Sequence, residues 1–422
     1  MQNQTSFRRV SVVGLGYIGL PTAAMLASRK VEVIGVDVKQ STVDTINRGG
    51  VHIIEPDLDI VVQSAVSQGY LRATTTPEPA DAFLIAVPTP FKGSDHEPDL
   101  SYIAAASRAI APVLKNGDLV VLESTSPTGT TEAMAEWLAH ARPDLSFPQD
   151  AGEASDIRIA HCPERVLPGK VMQELITNDR IIGGMTARCS REAALLYKTF
   201  VSGDCVIASS PRVAEMAKLT ENSYRDVNIA FANEVSLICD IQNIDVWELI
   251  ALANRHPRVS ILQPGPGVGG HCIAVDPWFI VSSAPEQARL IRTAREVNDA
   301  KPDWVLAKVH DAIDAYLRDN PGKTAAQVTL ALYGLAFKPD IDDLRESPAL
   351  GIARTLTERH AGIVLIVEPN VDVLPGELTT ARLVTLEQAR SADIHVLLVA
   401  HSAFRDLSPP SAVVDTVGLW RV

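Results

Sequence analysis

A chain of 422 residues, 46% hydrophobic and 21% charged, is long enough for two or three globular domains, each with its own core. With 51 acidic against 38 basic residues the net charge is −13 and no Lys/Arg run occurs, which excludes a nucleic-acid surface and means that an anionic ligand needs locally placed cations. The cysteines (Cys162, Cys189, Cys205, Cys239 and Cys272) are odd in number, widely spaced and without a CxxC pair, so disulfides and structural zinc are not expected and a reducing cytoplasm is the simplest setting.

Residues 8–13 read as a short buried strand. The apolar run breaks at Gly14 and Gly16, so it is expected to be a strand rather than a signal peptide, and no stretch suits a bilayer span. Gly14-Leu-Gly16-Tyr-Ile-Gly19 follows and opens into a helical pattern over 20–28. In such a unit the first glycine makes the turn, the second lets backbone approach a pyrophosphate, and the third lets helix pack on strand. A second strand over 31–36 ends in Asp37, about 20 residues on, where a carboxylate binds the adenosine ribose hydroxyls and repels a 2′-phosphate. That context predicts NAD rather than NADP, with Lys39 as the one nearby feature pulling the other way.

Two further apolar strands run into loops carrying Thr89 and Thr125, and both fit parallel strands of a doubly wound sheet. At the carboxyl ends of such strands these threonines line the cofactor crevice, or else cap the helices that follow. Residues 156–161 form another strand-like run leading to Cys162-Pro-Glu164-Arg165-Val166, where Glu164 and Arg165 are chemical candidates or a solvated loop pair.

Ser210-Pro211 opens a long helix with Ser210 as its cap. Lys218, Asn222 and Arg225 project from one face of it, and the apolar residues around them, Met216, Ala217, Leu219, Tyr224, Val227 and Phe231, predict substantial burial. The run from Asn254 to Arg258 supplies cations suited to phosphate. Next comes Gly265-Pro-Gly-Val-Gly-Gly-His-Cys272-Ile-Ala-Val-Asp276-Pro277. Its glycines suit close approach to a ligand, and the cysteine set among them is either a nucleophile or a buried thiol. A helix over about 286–299 carries Arg289, Arg292 and Arg295, read as a salt-bridged face. After a turn-rich linker at 319–323, strands over 328–334, 362–367 and 393–399 imply a second α/β sheet, with a charged loop at 336–347. The fold class is α/β: two Rossmann-like doubly wound domains, 1–204 and 319–422, joined by a long central helix and a helical middle region, 205–318.

With GLGYIGLP, VPTP, STSP, CPER, AKLTEN, GPGVGGHCIAVDP and GLAFKPDIDDLRESPA in this order, essentially the whole chain resembles the nucleotide-sugar 6-dehydrogenases, the UDP-glucose and GDP-mannose dehydrogenase family. HCIAVDPWF, with Val275 where the UDP-glucose enzymes usually carry lysine, resembles the branch acting on UDP-N-acetylhexosamines, mannosamine and glucosamine epimers being left open. The resemblance implies oxidation of a sugar C6 alcohol to a carboxylate with two NAD+ consumed. Cys272 is then the nucleophile, Lys218 with Asn222 the oxyanion and proton group, and Asp276 part of the proton path, while Glu164 and Thr125 position the hydrolytic water. It further implies Arg165, Val166, Lys218, Asn222, Arg225, His256, Arg258, Gly267 and Lys338 around the nucleotide sugar. Around NAD it implies Tyr17, Ile18, Asp37, Thr89, Thr131 and Arg345, with the glycines Gly14, Gly16 and Gly19. No metal is implied. A homodimer that shares its active sites through His256 and Arg258 is expected. Two other readings are a two-electron hydroxyacid-type dehydrogenase, from which only Cys272 separates this chain, and a non-catalytic NAD-binding regulator.

Overall fold

The computed structural model describes residues 7–93, 96–407 and 412–420. The chain forms two compact units that meet in sequence at Glu221 and Asn222. In the first, strands β1 (Arg9–Val13), β2 (Glu32–Val36), β3 (Leu71–Thr74) and β4 (Ala82–Ile85) precede a small antiparallel ribbon, β5 (Phe91–Lys92) and β6 (Glu97–Pro98). Strands β7 (Leu119–Leu122), β8 (Arg158–His161), β9 (Arg180–Gly184) and β10 (Cys205–Ile207) follow. The sheet runs β10-β9-β8-β7-β4-β1-β2-β3. Its side chains alternate between two cores: Val10, Val12, Leu84 and Val121 on one face, Val13, Phe83, Ile85 and Val120 on the other. That period of two, apolar on both sides, is what a sheet covered by helices on each face requires.

One join departs from the parallel pattern. Strands β8 and β9 pair antiparallel, Ala160 opposite Gly184 and His161 opposite Gly183. The start of β9 therefore lies at the sheet edge where β7 and β8 end, and Arg180, its first residue, arrives beside loops that a wholly parallel arrangement would keep at the far edge.

In the second unit, strands β11 (Leu330–Tyr333), β12 (Val364–Val367), β13 (Arg382–Leu383), β14 (Ile394–Leu397) and β15 (Ala412–Asp415) form a parallel sheet in the order β13-β12-β11-β14-β15. The helix expected to end near residue 299 instead runs from Arg289 to Asp319, straight through Pro302. An interior proline costs a helix about 3 kcal/mol. Val305, Val309 and Ile313 beyond it are inserted in the sheet's core, and their burial offsets that loss.

The long helix is Pro211–Gln242. Leu219 is buried as expected, but Met216, Tyr224 and Phe231 are 39%, 72% and 53% exposed, which corrects the expectation of burial on that side. Glu215, Lys218, Asp226 and Asn233, by contrast, are buried. In the isolated chain the helix thus turns a polar stripe inward and an apolar stripe outward. Of the arginines read as a salt-bridged face, Arg295 is paired with Asp226 and Asp299, and it is 2% exposed, so its pairing lies inside the unit. Its Nη1 donates to Asp226 Oδ1 at 2.7 Å. The same carboxylate oxygen accepts from Asn298 Nδ2 at 2.8 Å, and Asn298 Oδ1 accepts from Asn233 Nδ2 at 2.9 Å. Among the described residues no helix is long and apolar enough to cross a membrane.

Replacing Arg295 with methionine leaves the Asp226 carboxylate buried without its cation. Loss of one partner from a buried pair costs about 3–5 kcal/mol. Denaturant unfolding of Arg295→Met should show a loss of that order, most of it recovered when Asp226→Leu is added.

Candidate active site

The glycine turn of the first unit has the geometry its sequence demands. Gly14 sits at φ +94°, and a Cβ there would meet the Ala86 carbonyl oxygen at 2.4 Å; a Cβ on Gly19 would meet the Gly14 oxygen at 1.8 Å. Gly16 instead faces open space, with nothing within 4 Å of where its Cβ would be. Two glycines are thus held by packing and the third leaves room, the arrangement a pyrophosphate needs ahead of a helix N-terminus, here that of Gly19–Ser28. Tyr17 and Ile18 lie half-buried in the same turn. Asp37, at the end of β2, accepts from the Leu15 N–H at 3.2 Å and the Lys39 N–H at 2.9 Å, which places its carboxylate against the turn. These residues fit a bound dinucleotide.

Loops at the carboxyl ends of β4 and β7 are tied together, since Thr89 Oγ1 donates to the Thr125 carbonyl at 2.6 Å and Ser124 Oγ to the Val87 carbonyl at 2.7 Å. Thr131 is fully buried. Its N–H and hydroxyl donate to Glu215 Oε1 at 2.8 and 2.6 Å while the Gly129 N–H donates to Oε2, so Glu215 clamps the start of helix Thr130–Ala141 to the long helix.

Glu164, after β8, is 5% exposed and accepts from the Val166 N–H at 2.7 Å. Burial raises its pKa, opposed by the charges of Arg180 and Lys218. Lys218 is itself 9% exposed. Arg165 pairs with Glu221 at 2.7 Å. The loop that carries Glu164 and Arg165 is held from behind by Glu55, whose carboxylate accepts from the Gly169 and Val171 N–H groups at 2.9 and 2.7 Å.

In the second unit the cysteine turn is anchored at both ends. The Gly265 N–H donates to Asn233 Oδ1 at 2.9 Å and the Gly270 N–H to the Arg345 carbonyl at 3.1 Å. Gly267 at φ +144° and Gly270 at φ +80° hold conformations that favour glycine, and a Cβ on either would strike Pro348 or Phe337 at 2.9 Å. Cys272 is half-buried, and its carbonyl accepts from the Asp276 N–H at 2.8 Å at the start of helix Asp276–Ser283. Asp276, 3% exposed, accepts from Asn222 Nδ2 at 2.5 Å. That bond joins the long helix to the turn, and the two positions named from sequence for oxyanion and proton work meet in it. Lys338 is half-buried, and Arg345 pairs with Asp343 at 2.6 Å. Arg225, His256 and Arg258 are exposed.

Sequence reasoning missed several groups. His52 stands beside Asp37 with its ring against the Leu15 carbonyl, and burial lowers its pKa. Glu55, Glu123, Arg180 and Glu215 act across long sequence separations that no local spacing reveals. No cluster of three or more His, Cys, Asp or Glu among the described residues is placed to hold a metal ion.

If Asp37 faces the adenosine ribose, Asp37→Ala should weaken NAD+ binding and relax discrimination against NADP+. Fluorescence titration with both reduced dinucleotides checks this, and an unchanged preference removes Asp37 from the ribose site.

Residues 8–201, 212–300 and 331–421 match, in turn, the models for the NAD binding, central and UDP binding domains of the UDP-glucose/GDP-mannose dehydrogenase family. A Yersinia pestis protein named UDP-N-acetyl-D-mannosamine dehydrogenase is 65% identical over 99% of this chain and 100% of its own length. A Ralstonia nicotianae protein named NDP-N-acetyl-D-galactosaminuronic acid dehydrogenase is 64% identical over 98% of this chain and 96% of its own. Among solved structures, a Pyrococcus horikoshii UDP-D-ManNAc dehydrogenase superposes with a TM-score of 0.86 at 37% identity, over 98% of this chain and 96% of that one. The chain belongs to the UDP-glucose/GDP-mannose dehydrogenase family, the NAD-dependent nucleotide-sugar dehydrogenases.

Proposed function

We propose that this enzyme oxidises UDP-N-acetyl-D-mannosamine at C6 to the uronate in two hydride transfers, through a thiohemiacetal and a thioester on Cys272. The observation that carries the reading is the placing of Cys272 on a turn locked to Asp276, with Asn222 bonded to that carboxylate. NAD+ held at the glycine turn would supply the hydride acceptor, a fresh NAD+ for each of the two oxidations. Asp276, through an ordered water and Lys218, takes the C6 hydroxyl proton in the first. The Cys272 thiolate then adds to the aldehyde carbon, and the Lys218 ammonium and Asn222 amide stabilise the oxyanion that forms. After the second oxidation Glu164, with Thr125, draws a proton from the water that attacks the thioester, and the C–S bond breaks to return the sulfur of Cys272.

Arg165, Val166, Arg225, Gly267 and Lys338 are assigned to the nucleotide sugar, with Lys338 as a cation for the diphosphate. Tyr17, Ile18, Thr89, Thr131 and Arg345 are assigned to NAD. The division into NAD-binding, central and UDP-sugar-binding domains at 204 and 318 goes with these roles. The mannosamine epimer is supported by the Yersinia relative, and the Ralstonia relative's name favours a galactosamine epimer as the second reading. Turnover of UDP-linked N-acetyl-mannosamine, -glucosamine and -galactosamine separates the epimers. We also assign the enzyme to the cytoplasm, supplying a uronate for surface polysaccharide.

The protein acts as a homodimer through the outward face of the long helix. Tyr224, Phe231 and Ile238 recur there every seven residues, and they are 72%, 53% and 46% exposed, an apolar stripe of the kind that marks an interface. His256 and Arg258, exposed beyond the next helix, are assigned to the neighbouring subunit's site.

Complete conversion should give two NADH per uronate, and one NADH with free aldehyde as product would overturn the four-electron reading. Cys272→Ser should nearly stop turnover while mass spectrometry finds an adduct on residue 272, because the serine ester expels a poorer leaving group. Light scattering should find the Tyr224→Glu/Phe231→Glu variant monomeric where the parent chain is dimeric.

A further inference from the structure

Behind Glu164 lies a buried charged cluster that the reaction outlined above does not use. Arg180, 2% exposed, interacts by charge with both Glu164 and Glu123, the latter at the carboxyl end of β7. Its Nη1 is 3.8 Å from Glu164 Oε1, and its Cζ lies 5.3 Å from the Tyr197 ring centroid and 6.0 Å from that of Phe200. Glu123, 1% exposed, accepts from the Tyr197 hydroxyl at 2.7 Å through Oε1. Buried polar atoms are nearly always hydrogen-bonded. Here Arg180 Nε, Nη1 and Nη2, Glu123 Oε2 and Glu164 Oε1 all lack a hydrogen-bond partner, so the cation is committed by charge and not by fixed geometry.

Two carboxyls share the Arg180 guanidinium, and like charges close together in a low-dielectric site disfavour ionising both, so the carboxyl with the weaker set of partners keeps its proton. Their surroundings differ. Glu164 has a backbone N–H at 2.7 Å and two cations, Arg180 from β9 and Lys218 from the long helix. Glu123 has Arg180 and the Tyr197 hydroxyl, and it also faces the Glu164 charge. Burial pushes Glu123 up to about 7 and the neighbouring Cys162 thiol up to about 12, so the thiol brings no charge, and burial also lifts Tyr197 well above its ordinary value. Two carboxyls held apart in this way divide the roles of ion and acid between them.

We propose that Arg180 is a positioning residue for thioester hydrolysis: it keeps Glu164 ionised and able to accept the water proton, while Glu123 carries the proton the cluster must hold. The inference rests on the role of Glu164 in the proposed function. In the step itself Glu164 takes one proton from the attacking water as the C–O bond forms, and the C–S bond breaks with its electron pair going to the Cys272 sulfur.

The test is rapid mixing of enzyme with saturating NAD+ and UDP-sugar across pH, reading the NADH burst and the slower rate that follows it. Removing the cation raises the Glu164 pKa, so in Arg180→Gln the acid limb of the post-burst rate should move up by about one unit or more, a loss of about tenfold on the acid side. KM for the sugar should change less than about twofold, and the Cys272 acyl-enzyme should accumulate in mass spectra. Arg180→Lys should restore most of the limb. In the Glu123→Gln/Arg180→Gln variant the limb should stay raised as in Arg180→Gln, because a protonated Glu123 brings no charge and its amide isostere changes none. That variant carries the test if Arg180→Gln does not fold. A limb that stays in place in the variants while amplitude falls at every pH would assign Arg180 to structure alone and overturn the proposal. Because the burst is counted in NADH per site, one NADH per sugar would mark failure of the proposed function, and two with an unmoved limb failure of this inference alone.

Discussion

The constraint on which the rest depends is the polar stripe along Pro211–Gln242. Glu215, Lys218, Asn222, Asp226 and Asn233 recur at helical spacing on one side. Almost every member has a partner on another element: Glu215 at the start of Thr130–Ala141, Asn222 at Asp276, Asp226 at Arg295, Asn233 at Asn298 and Gly265. Buried polar groups cost stability unless paired, so the stripe specifies register as well as contact. A one-residue slip would carry every partner away together. The anchoring bonds fall on successive turns of the same helix, so its backbone is fixed along the stripe.

Inverted amphipathicity follows from that stripe. With its polar side facing inward, the helix has only the opposite side for Tyr224, Phe231 and Ile238, and these are exposed in the single chain. Sequence periodicity detects an apolar face and says nothing of what covers it, which is why burial within the chain was the natural but mistaken expectation.

The glycine turn and Asp37 were legible because the chemistry of each is local: a turn, an open position and a carboxylate at the next strand's end lie within one βαβ unit. The cysteine turn was legible in its glycines, whose spacing anticipated the positive φ at Gly267 and Gly270. Arg180 was not legible, because its meeting with Glu123 and Glu164 depends on β9 pairing antiparallel with β8, a topological event. The pairing of Arg295 was legible but its burial was not, since its spacing with Arg289 and Arg292 is the same whether the paired aspartate is exposed or buried. The helix expected over about 286–299 runs on to Asp319 because Val305, Val309 and Ile313 beyond Pro302 are buried in the second sheet's core.

The two sheets show how one turn serves two ends. Gly14 and Gly334 hold nearly the same backbone, φ +94° and +93°, and each N–H donates to the carbonyl that ends the next strand, Val36 or Val367. An acid follows both strands. In the first unit Asp37 is half-buried and accepts from one turn N–H, Leu15, while Gly16 leaves space beside it. In the second Glu368 is 5% exposed, accepts from both Leu335 and Ala336, and is met by His401 Nε2 at 3.1 Å. Ala336 and Pro339 stand where the first turn has Gly16 and Gly19. Ala336 is 1% exposed and carries a side chain where the first turn has none, and the Glu368 carboxylate is bonded to its own turn. The first turn keeps the features that accept a dinucleotide; the second has given them up and carries Lys338 two residues past Ala336, a cation suited to phosphate without an open glycine.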